Sequence, residues 1–268
     1  MRRLHGFAKP RDRIVYGVTD APTSHRATAF GHIPALDGLR AVAVLSVVGY
    51  HYGMFGLDGG FLGVDLFFVL SGFLITSLLL NEADSTGRVS LKAFWVRRFK
   101  RLMPAALVML IAVSIWAAFK AEAIQLDSFR WDFIATLGYV ANWRFIYSGQ
   151  SYFQQFSQAS PVRHAWSLAI EEQFYVVWPL LFAVIYRARR KLMLAGIALA
   201  AVAASGIWMA VLYDPNNVSR VYYGTDTRAS QLLVGVLLAI IVATGKVRLS
   251  NFLANVLNAI SLAVVLGA

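Results

Sequence analysis

The sequence predicts an all-α fold: a polytopic bundle of about seven or eight membrane-spanning helices. Three observations predict it. First, 58% of the 268 residues are hydrophobic and 15% are charged, against about 45–50% and about 25% in ordinary soluble domains. Second, apolar runs of about 20 residues, the length a helix needs to cross a bilayer, recur along the chain. Third, the Lys and Arg residues cluster between those runs, as the positive-inside rule requires. The absence of cysteine excludes a disulfide scaffold, a thiolate nucleophile and Cys-based zinc or iron–sulfur sites. A net charge of +11 would suggest nucleic-acid binding on a soluble domain, but bases grouped at membrane boundaries belong to topology, so no nucleic-acid partner is expected.

Residues 1–32 read as a basic cytoplasmic tail, with no apolar segment that would make it a cleavable signal. Residues 33–268 read as one membrane domain. Within it the expected spans are 33–55 (interrupted by Asp37, Arg40 and His51), 61–80 (interrupted by Asp65), 102–119, 167–186, 192–213, 229–244 and 249–268. The stretch 131–147 is ambiguous because Asp132, Asn142 and Arg144 fall within it. Parity resolves it. The clusters Arg97/Arg98/Lys100/Arg101 and Arg187/Arg189/Arg190/Lys191 should both face the cytoplasm, and 102–119 with 167–186 already make the even number of crossings between them. The stretch 131–147 is therefore expected to be re-entrant or interfacial. The protein is expected in the cytoplasmic membrane with its N-terminus inside. The last apolar run ends without a polar anchor, which reads as a chain truncated at its C-terminus.

Ionisable groups inside spans are costly and mark function by default. Arg40 and His51 lie eleven residues apart, which puts them on nearly one helix face about 16 Å apart along the axis. Arg40 can hold an anion or simply pair with Asp37; His51 can exchange a proton near neutral pH. A hairpin turn near Leu57–Asp58 would bring Asp65 to the depth of His51, either as the carboxylate that orients a catalytic imidazole or as a packing partner. Asp65 sits in GGFLGVDLFFVLSGF, whose Gly59, Gly60, Gly63 and Gly72 allow close helix approach. Ser71 can donate to a ligand or bond back to its own helix. Arg98 and Arg101 share a helix face and read either as a phosphate clamp or as an interfacial anchor. In HAWSLAIEEQFY, Ser167 suits a helix N-cap and Glu171 and Glu172 suit the first-turn dipole, while one of the two carboxylates can point into the bundle.

Four blocks taken together resemble the acyltransferase-3 family of membrane O-acyltransferases: Leu36-Asp-Gly-Leu-Arg40 with the Arg40/His51 pair, residues 59–73, Arg97-Arg-Phe-Lys-Arg-Leu-Met-Pro104, and His164 to Tyr175. The resemblance implies transfer of an acyl group, typically acetyl, from acetyl-CoA as co-substrate to a hydroxyl of a carbohydrate, lipid-linked glycan or secondary-metabolite acceptor. No bound cofactor or metal is implied. It further implies His51 as catalytic base and Arg40 as essential in the same pore, and it places Asp65, Arg98, Arg101, Trp166 and Glu171 at family positions. Ser71 and Ser167 join Arg98, Arg101 and Trp166 as candidate substrate contacts. Family members have about ten spans. The competing class is a transporter or flippase component in which the same buried charges form a proton relay without acyl chemistry; dependence on acyl-CoA separates the two.

Overall fold

The computed structural model describes residues 34–54, 56–152, 160–186 and 191–244, all helices and connections. In chain order they form α1 (Pro34–His51), a short 3-10 turn (Gly60–Leu62), α2 (Gly63–Thr86), α3 (Leu91–Lys120), α4 (Ala123–Leu137), α5 (Ala141–Tyr147), α6 (Ala165–Tyr186), α7 (Lys191–Val211), α8 (Ser219–Tyr223) and α9 (Thr225–Ala243). Among the described residues five segments are long and apolar enough to cross a membrane: Gly60–Thr86, Leu91–Lys120, Ala165–Tyr186, Lys191–Val211 and Thr225–Ala243. That is fewer than the sequence predicts. α1 drops out because Asp37, Arg40 and His51 dilute the apolarity of its 18 residues, and the predicted span 249–268 lies outside the described residues.

The spine of the bundle is α2 against α9, with α1 on one flank of α2 and α7 along α9. Two glycines set the α2–α9 crossing. A Cβ on Gly72 would collide with the carbonyl of Leu232, and one on Gly235 with the carbonyl of Val69. Each helix thus presents its bare backbone to the other, the usual basis of close helix contact in a bilayer. Gly60 and Gly63 stand in the same relation to the carbonyls of Ser46 and Ala43 on α1. The close approach expected of the glycine-rich motif is therefore made by three of its four glycines.

Two boundaries differ from the apolar runs. α2 continues past Leu80 through polar residues to Thr86 and stops at Gly87, whose φ of 74° supplies the left-handed cap. α3 begins at Leu91, so the basic–aromatic stretch before residue 102 is the opening of a single 30-residue helix. Its docking point follows from a proline elsewhere. Pro179 inside α6 has no N–H to offer the carbonyl of Tyr175, and the indole Nε1 of Trp95 donates to that carbonyl at 2.9 Å.

The ambiguous stretch is two short helices, 15 and 7 residues long, neither able to cross a bilayer. The chain breaks between them at Tyr139, φ 54°. Its polar residues satisfy one another: Arg144 Nε donates to the fully buried Asp132 at 3.0 Å and Gln150 Nε2 to the other carboxylate oxygen at 3.1 Å. Asn142 Nδ2 donates to Tyr223 O and Thr225 Oγ1, both at 2.9 Å, and Gln173 Nε2 of α6 donates to Asn142 Oδ1 at 2.9 Å. This knot ties α5 to α6 and α9 at the end of the bundle where α1 finishes.

Candidate active site

His51 is the last residue of α1. Its Nδ1 lies 2.7 Å from the carbonyl of Val47 one turn back. A carbonyl only accepts, so Nδ1 carries the ring proton and Nε2 presents its lone pair. Nε2 is 3.1 Å from the hydroxyl of Tyr152, which donates to it. The ring of His164 stands edge-on to that of His51, centroids 4.7 Å apart. These three residues, with Trp166 and Ser167, line a cavity of about 410 Å³. The imidazole thus faces the bundle.

The site's electrostatics keep its neighbours neutral. Desolvation against the surrounding rings, with the charges of His51 and Arg163 adding to it, pushes the His164 imidazole down to about 4. Burial holds the Tyr152 phenol up at about 12, so it remains a donor at neutral pH. Behind the cavity Trp166 is 1% exposed and packs on Tyr222 and Tyr223 at 4.7 and 5.4 Å, while Tyr222 lies 4.8 Å from Tyr152.

Asp65 does not meet His51. Its Oδ1 accepts from Nη1 of Arg228 at 2.7 Å, and the guanidinium, 8% exposed, also donates through Nε to the carbonyl of Tyr222 at 3.1 Å. The expected His–Asp pair fails for a physical reason: a guanidinium cannot shed its charge and claims the nearby carboxylate, while a backbone carbonyl takes over the orienting of the ring. Arg228 escapes a sequence reading that starts the 229–244 apolar run at Ala229; α9 begins at Thr225, which brings Arg228 into the bundle.

A second polar cluster lies deeper. Glu171 accepts from Ser71 Oγ at 3.0 Å and from Tyr175 O–H at 3.2 Å. The guanidinium of Arg98 sits 3.9 Å over the Tyr175 ring, and Arg98 and Arg40 both act electrostatically on the Glu171 carboxylate. Two expectations change here. α6 starts at Ala165, so Ser167 lies inside the first turn, its Oγ donating to His164 O at 3.4 Å, and is not the N-cap. Glu171 accordingly stands beyond the first turn, in the interior, rather than at the positive end of the helix dipole. Arg98 and Arg101 also part company: Arg98 turns inward, and Arg101 is exposed. Arg40 makes a long contact with Asp37, 3.8 Å, with both side chains partly exposed.

The structure therefore brings His51, Trp166 and Ser167 together in one cavity and Ser71, Arg98 and Glu171 in another group, while the ion-pair contact of Arg40 is with Asp37. It adds Tyr152, His164, Tyr222 and Arg228. His164 was visible beside the Trp-Ser pair in sequence; the others carried no local signal. Among the described residues no group of three or more His, Asp or Glu side chains could hold a metal ion.

A bundle of helices apolar enough to cross a membrane, with an imidazole lining a cavity at one end, is the setting in which the comparisons fall. Residues 33–268 match the family described as an acyltransferase domain, and the chain belongs to it. It is 47% identical over 212 residues to "Peptidoglycan O-acetyltransferase OatA" of Listeria monocytogenes, an alignment covering 78% of this chain and 34% of that protein. It is 46% identical over 219 residues to "Putative peptidoglycan O-acetyltransferase YrhL" of Bacillus subtilis, covering 81% and 34%. The chain thus spans about a third of the length of the curated relatives it matches. No solved structure matches it.

Proposed function

We propose that this chain transfers an acetyl group from acyl-CoA to a hydroxyl of a cell-envelope carbohydrate polymer, with His51 as general base. One observation carries the reading: the unprotonated Nε2 of His51 opens on a cavity and already accepts from a hydroxyl, that of Tyr152. An acceptor alcohol that displaces the phenol meets a base in hydrogen-bond reach, the geometric requirement for proton abstraction. As the alcohol oxygen attacks the thioester carbonyl, its proton passes to Nε2; the C–S bond then breaks, and the imidazolium returns the proton to the departing thiolate. The displaced Tyr152 phenol, still protonated, is a donor for the oxyanion that forms on the way.

The names of the relatives support an envelope glycan, peptidoglycan foremost, as acceptor. Positive-inside bookkeeping supports the plasma membrane with the N-terminus inside and the His51 end of the bundle outside. Acyl-CoA then arrives from the side of Arg97, Lys100 and the exposed Arg101, where its phosphates find unburied cations. The inward-facing Arg98 instead serves the Glu171 cluster.

The test is incubation of the chain in proteoliposomes with radiolabelled acetyl-CoA and peptidoglycan fragments. Alkali-labile label on the glycan is expected, and His51→Ala should abolish it with insertion unchanged. Wild-type labelling by that variant would remove His51 from the mechanism, and glycan transport without label would favour the transporter class.

A further inference from the structure

His51 is held at two points. The Val47 carbonyl is local to α1, but Tyr152 lies in the connection between α5 and α6 and has no helix of its own. What fixes it is a relay of contacts. The Tyr152 ring rests on Tyr222, centroids 4.8 Å apart at 32°. Tyr222 belongs to α8, five residues long, too short to hold its own place. Arg228 grips it twice, with Nε donating to its carbonyl at 3.1 Å and Cζ 4.5 Å from its ring centroid. Arg228 in turn is bonded to Asp65 at 2.7 Å. It projects from α9 within two turns of Gly235, where α9 and α2 lock backbone to backbone.

We propose that Arg228, with Asp65 as its counter-ion, is a positioning residue for acyl transfer: it holds Tyr222, Tyr222 holds Tyr152, and Tyr152 holds Nε2 of His51 on the cavity until the acceptor alcohol takes its place. The inference rests on the proposed role of His51. It gives the Asp65 carboxylate a part in the site that does not require it to touch the imidazole, and it explains a buried ion pair that a packing role alone would leave as a net cost in an apolar medium.

The test uses the 268-residue chain in nanodiscs, as wild type, Arg228→Lys, Tyr152→Phe and the double variant Asp65→Asn with Arg228→Met. Two readouts are taken: the rate at which diethyl pyrocarbonate modifies His51, followed by mass spectrometry, and kcat and KM for acetyl-CoA. Lysine keeps the charge and loses the two-point grip; the double variant removes both charges and keeps the bundle neutral. Both are expected to modify His51 several-fold faster than wild type, as Tyr152→Phe does, because Nε2 is no longer occupied. Both should lose on the order of tenfold to a hundredfold in kcat with KM changed less than about twofold. Should the lysine variant fail to fold, the double variant decides. Wild-type labelling and wild-type kcat in either folded variant overturn the proposal. Changed labelling in a chain whose wild type transfers no acetyl group sustains the positioning role and overturns the acyl-transfer reading.

Discussion

At the scale of the residue, the site is an argument about who accepts and who donates. Val47 O can only accept, so the tautomer of His51 follows, and Tyr152 must donate to Nε2. Tyr152→Phe is accordingly expected to lower kcat, by up to about a hundredfold, the cost of a misplaced reacting group, with KM for acetyl-CoA little changed; steady-state kinetics check it. His164 gives a pH prediction. Its folded value of about 4 lies below the roughly 6.5 of a free imidazole, so the unfolded chain takes up the proton first as pH falls. The stability this residue contributes is complete above about 6.5 and is lost on acidification toward about 4. His164→Asn should flatten that acid limb when the melting temperature is followed from pH 7 to pH 4, whereas an unchanged limb would mean that other groups set it.

The residues that met expectation and those that did not differ in one respect. His51, Trp166 and Ser167 reach the same cavity because His51 closes α1 and the other two stand in the first turn of α6. Asp65 was paired wrongly because a hairpin estimate knows only its two strands of chain, and Arg228 comes from 163 residues away.

Among elements, the crossing of α2 and α9 is the contact on which the others lean. Gly72→Ala places a Cβ against the Leu232 carbonyl, an overpacking that costs about 1–3 kcal/mol or more. A lower melting temperature in detergent is expected, and an unchanged one would show that the helices can slide apart. The segment from α4 to α5 rests on a different principle. Asp132 is fully buried and answers Arg144 and Gln150. Asp132→Ala therefore leaves a partly buried guanidinium unpaired, and a loss of about 3 kcal/mol is expected, again read from thermal unfolding. Sequence parity expects this segment not to cross, and neither of its helices is long enough to do so alone; parity could not show that the polar residues that made the segment ambiguous bond to each other.

For the whole molecule, the polar groups form tiers through an otherwise apolar bundle. His51, Tyr152 and His164 lie at one end, Asp65 and Arg228 just behind, and Glu171 with Ser71, Tyr175 and Arg98 deeper still. The lipid-facing helices carry exposed apolar side chains such as Leu107, Ile111 and Ile115 on α3 and Leu199 and Ile207 on α7, as a bilayer rather than water demands. Reporter fusions test the proposed orientation: insertion after Tyr147 and after Tyr213 should report the outer face, and insertion after Arg88 the cytoplasm. A cytoplasmic signal at Tyr147 would mean that α4 and α5 together do cross.

What the sequence by itself determined is the class of fold, the approximate course of its helices and the close-approach glycines of α2, because hydropathy and helical spacing accumulate residue by residue along the chain. The partners were decided by tertiary structure: Tyr152 for His51, Arg228 for Asp65, Ser71 for Glu171, each joining residues at least 100 positions apart. A buried polar group must be answered by whatever the crossing helices bring within about 3 Å, and where helices cross depends on the packing of all of them together.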